Sequence, residues 1–267
     1  MEDQGRTNVV ALIVLAGVFF LLQRLWPAQR QRRTVRDTVT DVAYLLFNPW
    51  VTKTISKVAV AVVVGIVAAL ATGARGRAEI LVAFSQGSPI GQLPALPQAL
   101  LLVVVSDFLG YWIHRGLHRF WWRAHAVHHS PARMDWLSAV RIHPLNDLLG
   151  TLLRAVPLFV MGFRFELVAG LVPVLAVYGL LLHANVHWRF GPLRYVIASP
   201  AFHRWHHAAD EEGLDKNFAG LLPVWDLLFG TYHLPETPPK RCGVSDPVPN
   251  SLWGQLRYGF RRGRSAL

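Results

Sequence analysis

Ten histidines stand at spacings that aim imidazoles at shared points. They form four clusters: His114-Arg-Gly-Leu-His118, His125-Ala-Val-His128-His129, His183-Ala-Asn-Val-His187 and His203-Arg-Trp-His206-His207. On a helix, positions i and i+4 sit one above the other and i+3 is their neighbour. Each HxxxH therefore directs two imidazoles at one point, and each HxxHH directs its first histidine together with both later ones. Adjacent residues point about 100° apart, so His128 and His129, and likewise His206 and His207, are expected to face different metals. A lone histidine is ordinarily a satisfied core residue. Ten packed together without a cation would leave buried lone pairs and N–H groups unmet. Neutral imidazole suits iron, zinc, copper or nickel. One such ion takes about four ligands, so the set implies two.

Other motifs narrow the chemistry. The sequence has no HExxH, no Glu-x-x-His, no GxSxG, no Walker A and no GxGxxG. A zincin protease, a carboxylate-bridged di-iron bundle and dinucleotide binding are therefore disfavoured. The single cysteine, Cys242, supports neither an internal disulfide nor a thiolate site.

The elements that carry the clusters read as membrane helices. Hydrophobic residues make up 52% of the 267, charged residues only 16%, and mean hydropathy is +0.31. Ordinary soluble domains carry roughly 25% charged residues. Charge-free stretches run from Thr7 to Gln23, Val58 to Ala74, Ile80 to Ser106 and Leu167 to Leu182. Spans are expected at about Val9–Leu25, Ile55–Thr72 and Leu96–Ile113, with Leu148–Phe163 and Glu166–Leu182 as a helical hairpin. Val42–Val51, interrupted by Asn48-Pro49, reads as an interfacial or re-entrant piece, and Ala74–Pro97 as a loop. Ser199-Pro200 reads as a cap and first helical residue before His203.

The net charge of +11 comes from 27 basic and 16 acidic residues. The basic residues flank apolar segments: Arg24, Arg30, Arg32, Arg33 and Arg36 follow the first, and Arg257, Arg261, Arg262 and Arg264 close the chain. That is the positive-inside pattern rather than a nucleic-acid surface, so no nucleic-acid partner is expected. The first apolar run lacks a small-residue cleavage site and is expected to be retained as a span. The clusters are then expected on the cytoplasmic side.

The ordered clusters resemble the fatty acid hydroxylase/sterol desaturase superfamily of integral-membrane di-iron oxygenases. Further matches are Asp107-Phe-Leu-Gly-Tyr111-Trp-Ile-His114-Arg115, His129-Ser130, Arg141-Ile-His143-Pro144, His183-Ala-Asn185, and Asp215-Lys-Asn217-Phe218 through Trp225-Asp226 to Thr231. Together they cover about Ala99–Tyr232 and are highly specific.

The resemblance implies an all-α polytopic protein of four or five spans, including the hairpin, with a cytoplasmic helical cap over a dimetal site. Residues 1–95 would form N-terminal spans and a connecting loop, 96–234 the histidine-rich di-iron domain, and 235–267 a basic cytoplasmic tail. It implies two irons, with zinc possible as purified, held by His114, His118, His125, His128, His129, His183, His187, His203, His206 and His207. The activity implied is O2-dependent hydroxylation or desaturation of an unactivated C–H bond in a membrane lipid. Asp107, Asn185 and Asp226 are the site's further candidates, as acceptors for ligand N–H groups. His143 is a candidate second-sphere group or eleventh ligand, and His233 a structural residue. Electrons would come from an external ferredoxin or cytochrome b5 type donor with its reductase. Arg115, Arg119, Arg123, Arg133, Arg141 and Arg204 could dock that donor or meet anionic headgroups. Trp112, Trp121, Trp122 and Trp136 are expected as an interfacial belt.

The alternative class is a membrane metal-handling or transport protein, which would string its histidines along a path through the membrane. Lysine is scarce, at 53, 57, 216 and 240 only, and the Ala/Arg/Gly-rich composition points to a bacterial inner membrane rather than endoplasmic reticulum.

Overall fold

The computed structural model describes residues 2–73, 76, 79–80 and 87–260. Arg75, Arg77 and much of the expected 74–97 loop lie outside the described residues, as do Arg261, Arg262 and Arg264. The described residues form helices and no strands; two isolated bridges join Pro27 to Val186 and Ala208 to Cys242.

The N-terminal part holds α1 (Glu2–Leu25), α2 (Val35–Phe47) and α3 (Lys53–Thr72). Asn48-Pro49 does not interrupt the chain as expected. A π-helical turn, Asn48–Thr52, joins α2 to α3. The widened turn tolerates Pro49, and tertiary bonds hold it: Asn48 Nδ2 donates to the Val140 carbonyl at 2.7 Å, and Thr52 Oγ1 to Asn48 Oδ1 at 2.9 Å. Gly73 ends α3 in the left-handed region at φ 73°, which only glycine adopts freely.

The remaining described helices are α4 (Ala95–Phe120), α5 (Trp122–His129), α6 (Pro144–Val160), α7 (Phe165–His183), α8 (Pro200–His206), α9 (Val224–Leu228) and α10 (Leu252–Gly259). Val35–Ala71, Ala95–Phe120 and Phe165–His183 are long and apolar enough to cross a membrane; Val10–Leu25 is a shorter apolar helix. Val58, Val62, Ile66 and Leu70 of α3 lie exposed at four-residue spacing. So wide an apolar stripe on a helix surface needs lipid rather than water. Between the spans, Leu102, Leu158 and Phe163 join α4, α6 and the hairpin turn.

At one end a polar lattice ties the N-terminal part to the histidine-bearing part. Asp41 is fully buried and accepts from Arg141, itself buried, and from Arg33. Arg33 also reaches Asp135 at 2.7 Å. Residues 236–260 pack back against the rest of the chain. Trp122 Nε1 donates to Asp246 at 2.6 Å, and α10 lies against His143, where a Cβ on Gly259 would fall 2.5 Å from Nε2.

Asp41→Ala leaves two guanidiniums short of their shared partner, one of them buried. The expected loss is about 3–5 kcal/mol of stability, read as a large drop in thermal unfolding temperature in detergent.

Candidate metal centre

Four helix ends deliver the imidazoles. His114 and His118 occupy the last turns of α4; His125, His128 and His129 lie on α5; His183 is the final residue of α7; His203 and His206 are on α8 and His207 caps it. Ser199 Oγ accepts from Phe202 N at 3.2 Å, with Pro200 first in the helix, so α8 begins where the sequence placed it.

Nine imidazoles converge in two groups, each with its ligand atoms within 4.8 Å of one another. The first comprises His114, His118, His125, His129 and His206; the second, His128, His183, His203 and His207. Each adjacent pair divides between the groups, as a 100° offset requires. His125 and His129 share one group, and His203 and His207 the other. The rings of His129 and His207 stack at 4.2 Å where the groups meet.

The Nε2 atoms face inward. His125 Nε2 lies 2.9 Å from that of His114 and 3.1 Å from that of His129. In the second group, His183 to His128, His203 to His183 and His207 to His203 measure 3.2, 3.3 and 3.2 Å. Nitrogens about 2.0–2.1 Å from a shared ion stand roughly 3 Å apart, so the donor set fits a metal in each group. Nε2 of His118 and of His206 are buried with no hydrogen-bond partner. A cation would satisfy both.

The opposite nitrogens are anchored outward. Nδ1–H of His114 donates to the Phe218 carbonyl at 2.8 Å, His206 to Lys216 O at 2.8 Å, and His118 to Asp215 Oδ1 at 3.1 Å. His125 donates to Asn146 Oδ1 at 2.7 Å, His183 to Gly179 O at 2.8 Å, and His128 to Arg141 O at 3.3 Å. Such bonds fix ring orientation and leave the Nε2 lone pair for a metal. Burial pushes His125, His129, His203, His206 and His207 well below the usual histidine range, with neighbouring imidazoles adding to it. Burial brings His128 down to about 4. The rings are therefore neutral, as ligands must be.

One loop supplies three of those acceptors. Asp215, Lys216 and Phe218 cover His118, His206 and His114. Asp215 and Asn217 adopt positive φ of 53° and 58°, which short polar side chains tolerate. Asn217 Nδ2 donates to Phe202 O at 2.9 Å, and its Oδ1 accepts His233 N at 2.7 Å. Asp226 accepts the amides of Phe218 and Ala219 at 2.8 and 2.9 Å and the Thr231 hydroxyl at 2.6 Å. Asp107 accepts Leu222 N at 2.8 Å and Trp225 Nε1 at 3.1 Å. The His118 hydrogen bond holds the Asp215 carboxyl below its ordinary range, whereas burial raises that of Asp226.

Several expectations are corrected by this geometry. Asp107 and Asp226 brace the loop instead of contacting an imidazole. Asn185 bonds the α1–α2 linker, giving Nδ2–H to Gln29 O at 2.8 Å, and receives Arg204 at 3.2 Å. His187 is exposed and joins neither group, because α7 ends at His183 and Ala184 turns extended at ψ 143°. Without helix between them, the i, i+4 relation is lost. His143 spends both nitrogens elsewhere: Nδ1 accepts Leu145 N at 3.1 Å, capping α6, and Nε2–H donates to Leu256 O at 3.0 Å. His233, expected to be structural, does stand outside both groups, edge-on to Trp205. Arg141 and Arg204 are buried, so neither can dock a partner. Trp112 and Trp121 are exposed, but Trp122 bonds Asp246 and Trp136 stacks on Phe19. Asn146 and Gly179 carried no signal in the sequence, and Arg141, Lys216 and Phe218 stood in its motifs without any sign that their carbonyls were acceptors.

Two outcomes follow. His187→Ala should retain the metal content of the parent by elemental analysis, whereas Asp215→Asn should weaken binding at the first group by about 10–100-fold. In the metal-free protein the depressed histidines bind fewer protons than the unfolded chain. Stability is therefore full above about 6.5 and falls as pH drops towards about 4, which thermal unfolding across that window reads.

A family model described as fatty acid hydroxylase matches residues 99–231. The ornithine lipid hydroxylase OlsE of Rhizobium tropici is 33% identical over 97% of this chain and 77% of its own length. Human alkylglycerol monooxygenase is 30% identical over 53% of this chain and 32% of its own. A very-long-chain aldehyde decarbonylase of Oryza sativa subsp. japonica is 29% identical over 47% and 21%. No solved structure matches the chain.

Proposed function

The chain belongs to the fatty acid hydroxylase family, and from that premise we propose that it is an O2-dependent di-iron lipid oxygenase. Its reaction is hydroxylation or desaturation of an unactivated C–H bond in a membrane lipid. The observation that carries this reading is the paired set of neutral imidazoles, with Nε2 turned inward and Nδ1 anchored outward on six of the nine rings. The lipid oxidations in the relatives' names support the substrate class.

His114, His118, His125, His129 and His206 would hold one iron, and His128, His183, His203 and His207 the other. When bound, the irons supply the reduction of O2 and the removal of hydrogen from carbon. The protein supplies position and dryness. Phe218 lies 5.0–5.8 Å from the rings of His114, His118 and His206, and Trp122 lies 5.1 Å from His118 and 5.4 Å from His129. These aromatic faces exclude water from the first group. Asp215 and Asn146 hold protons on Nδ1, so the ligating nitrogens keep their lone pairs.

The basic α1–α2 linker lies at the same end as the histidines, since Gln29 N donates to Asn185 Oδ1 at 3.2 Å, two residues past His183. With positive-inside orientation this supports a centre on the cytoplasmic face, and the bacterial relative supports a bacterial inner membrane. Electrons come from a ferredoxin or cytochrome b5 type donor. A metal-handling role fits the geometry less well, because the ligands close into two buried groups at one end and form no path.

The test is reconstitution of the metal-stripped chain with ferrous iron in membrane nanodiscs, with a chemical or protein reductant. Two irons per chain and lipid-dependent O2 uptake with a mass-shifted lipid product are expected. One metal or none in folded protein, or reversible metal release without O2 uptake, would overturn the reading.

A further inference from the structure

A cavity of about 470 Å³ opens between the outer face of α4 and the loop that covers the first histidine group. Its inner wall is His118 and Phe218; its outer wall carries Arg115 and Arg119, one helical turn apart. The rim is aromatic, with Trp112 43% and Phe120 77% exposed. We propose that this cavity is a recognition site for the head of a lipid bearing an anionic group, phosphate or carboxylate, and that Arg115 and Arg119 are its specificity-determining residues. The lipid-oxidation half of the idea rests on the function proposed above.

Charge is the first argument. Arg119 has no hydrogen-bond or ion-pair partner among the described residues. Arg115 donates to the Tyr111 hydroxyl at 3.3 Å, lies over the Trp112 ring at 5.5 Å, and feels the charges of Asp215 and Asp226 without an ion-pair contact to either, so its guanidinium stays open to a ligand. Asp215 is the cavity's only carboxylate among the described residues, and its Oδ1 already accepts from His118. Two guanidiniums against one carboxylate leave a net positive wall. Guanidinium pairs suit phosphate and carboxylate geometry.

Shape and depth are the second. The arginines sit at the end of a membrane-length helix, where headgroups lie and long basic side chains reach out of the hydrocarbon. Below the cavity, Leu96, Leu100, Val104 and Trp112 form an exposed stripe at four-residue multiples along α4. That stripe gives an acyl chain a track leading into the cavity. The volume and concave walls fit a headgroup and not the surface of a folded electron donor. The shared wall with His118 brings the head end of the lipid, not its chain terminus, beside the first metal group.

The test titrates the metal-loaded full chain in non-ionic detergent with dodecyl phosphate, dodecanol or inorganic phosphate, read by native mass spectrometry. A single dodecyl phosphate is expected to bind, with dodecanol and inorganic phosphate far weaker. Arg115→Gln with Arg119→Gln should weaken it by about tenfold or more while both metals stay bound. The double lysine variant, which keeps the charge but loses the guanidinium fork, should bind between the parent and the glutamine variant, and its two bound metals control for folding. Equal binding of inorganic phosphate would make this a soluble-anion site and overturn the proposal. Equal binding of dodecanol, or an unaffected glutamine variant, would also overturn it. So would unchanged lipid binding with slowed reduction by an acidic electron-transfer protein, which would make the patch a donor-docking surface. Arginine-dependent binding without any lipid oxidation would instead remove the proposed function and leave the site standing.

Discussion

Nine neutral imidazoles cannot share so small a buried volume unless something accepts their inward lone pairs. The rest of the structure follows from that constraint. A ring anchored from behind cannot turn and satisfy itself against a neighbour. Six rings donate Nδ1–H to a named acceptor outside the groups. Those acceptors must in turn be rigid. This explains the buried investment in Asp107, Asp226 and Asn217, which hold a loop whose backbone, Asp215 apart, carries the acceptors. An unsatisfied buried polar group costs about 1–3 kcal/mol, so the inward-facing pairs make the metal-free state inherently strained. A metal in each group would relieve that cost, and binding would then be coupled to folding.

The membrane spans serve the same end. Helices α4 and α7 deliver their histidines only at their final turns, where the chain leaves the apolar stripe. Polar networks involving Arg33, Asp41, Asp135 and Arg141 begin at that end too. A cap made of short helices alone would frame the rings weakly. Two long helices ending side by side give it a fixed base, and the α6–α7 hairpin returns the chain to that base.

The clusters themselves were legible because an HxxHH pattern needs nothing but helix to place its rings. The division of adjacent histidines is the same local geometry. His187 was misread because its pattern assumes a helix that stops at His183, and nothing in Ala184-Asn185 announces the stop. Asn48-Pro49 misled for the opposite reason. Its widened turn is held by the Val140 carbonyl, about ninety residues away in sequence, and local propensity is overridden by tertiary bonds. Arg141 and Arg204 looked like surface charge since their partners, Asp41 and Asn185, are remote in sequence. The backbone acceptors at Phe218, Lys216 and Gly179 have no side-chain signature at all. Only Asn146 could have been singled out, and its type is too common to mean anything alone.

The two groups are made of different materials. In the first, the anchors are a carboxylate, a carboxamide and two loop carbonyls. In the second they are the carbonyls of Gly179 and Arg141, while His203 Nδ1 is buried without a partner. A carboxylate behind an imidazole raises its basicity more than a carbonyl does. Among the described residues, Asp215 is the carboxylate that stands behind a ring of the first group, at His118. The same residue lines the cavity under α4, and that cavity reaches only the first group's wall. For a centre that oxidises lipid, the asymmetry assigns the roles. In the function proposed above, substrate would meet the first group, because the cavity reaches the His118 wall. The second group, anchored by backbone carbonyls, would hold the other metal from behind.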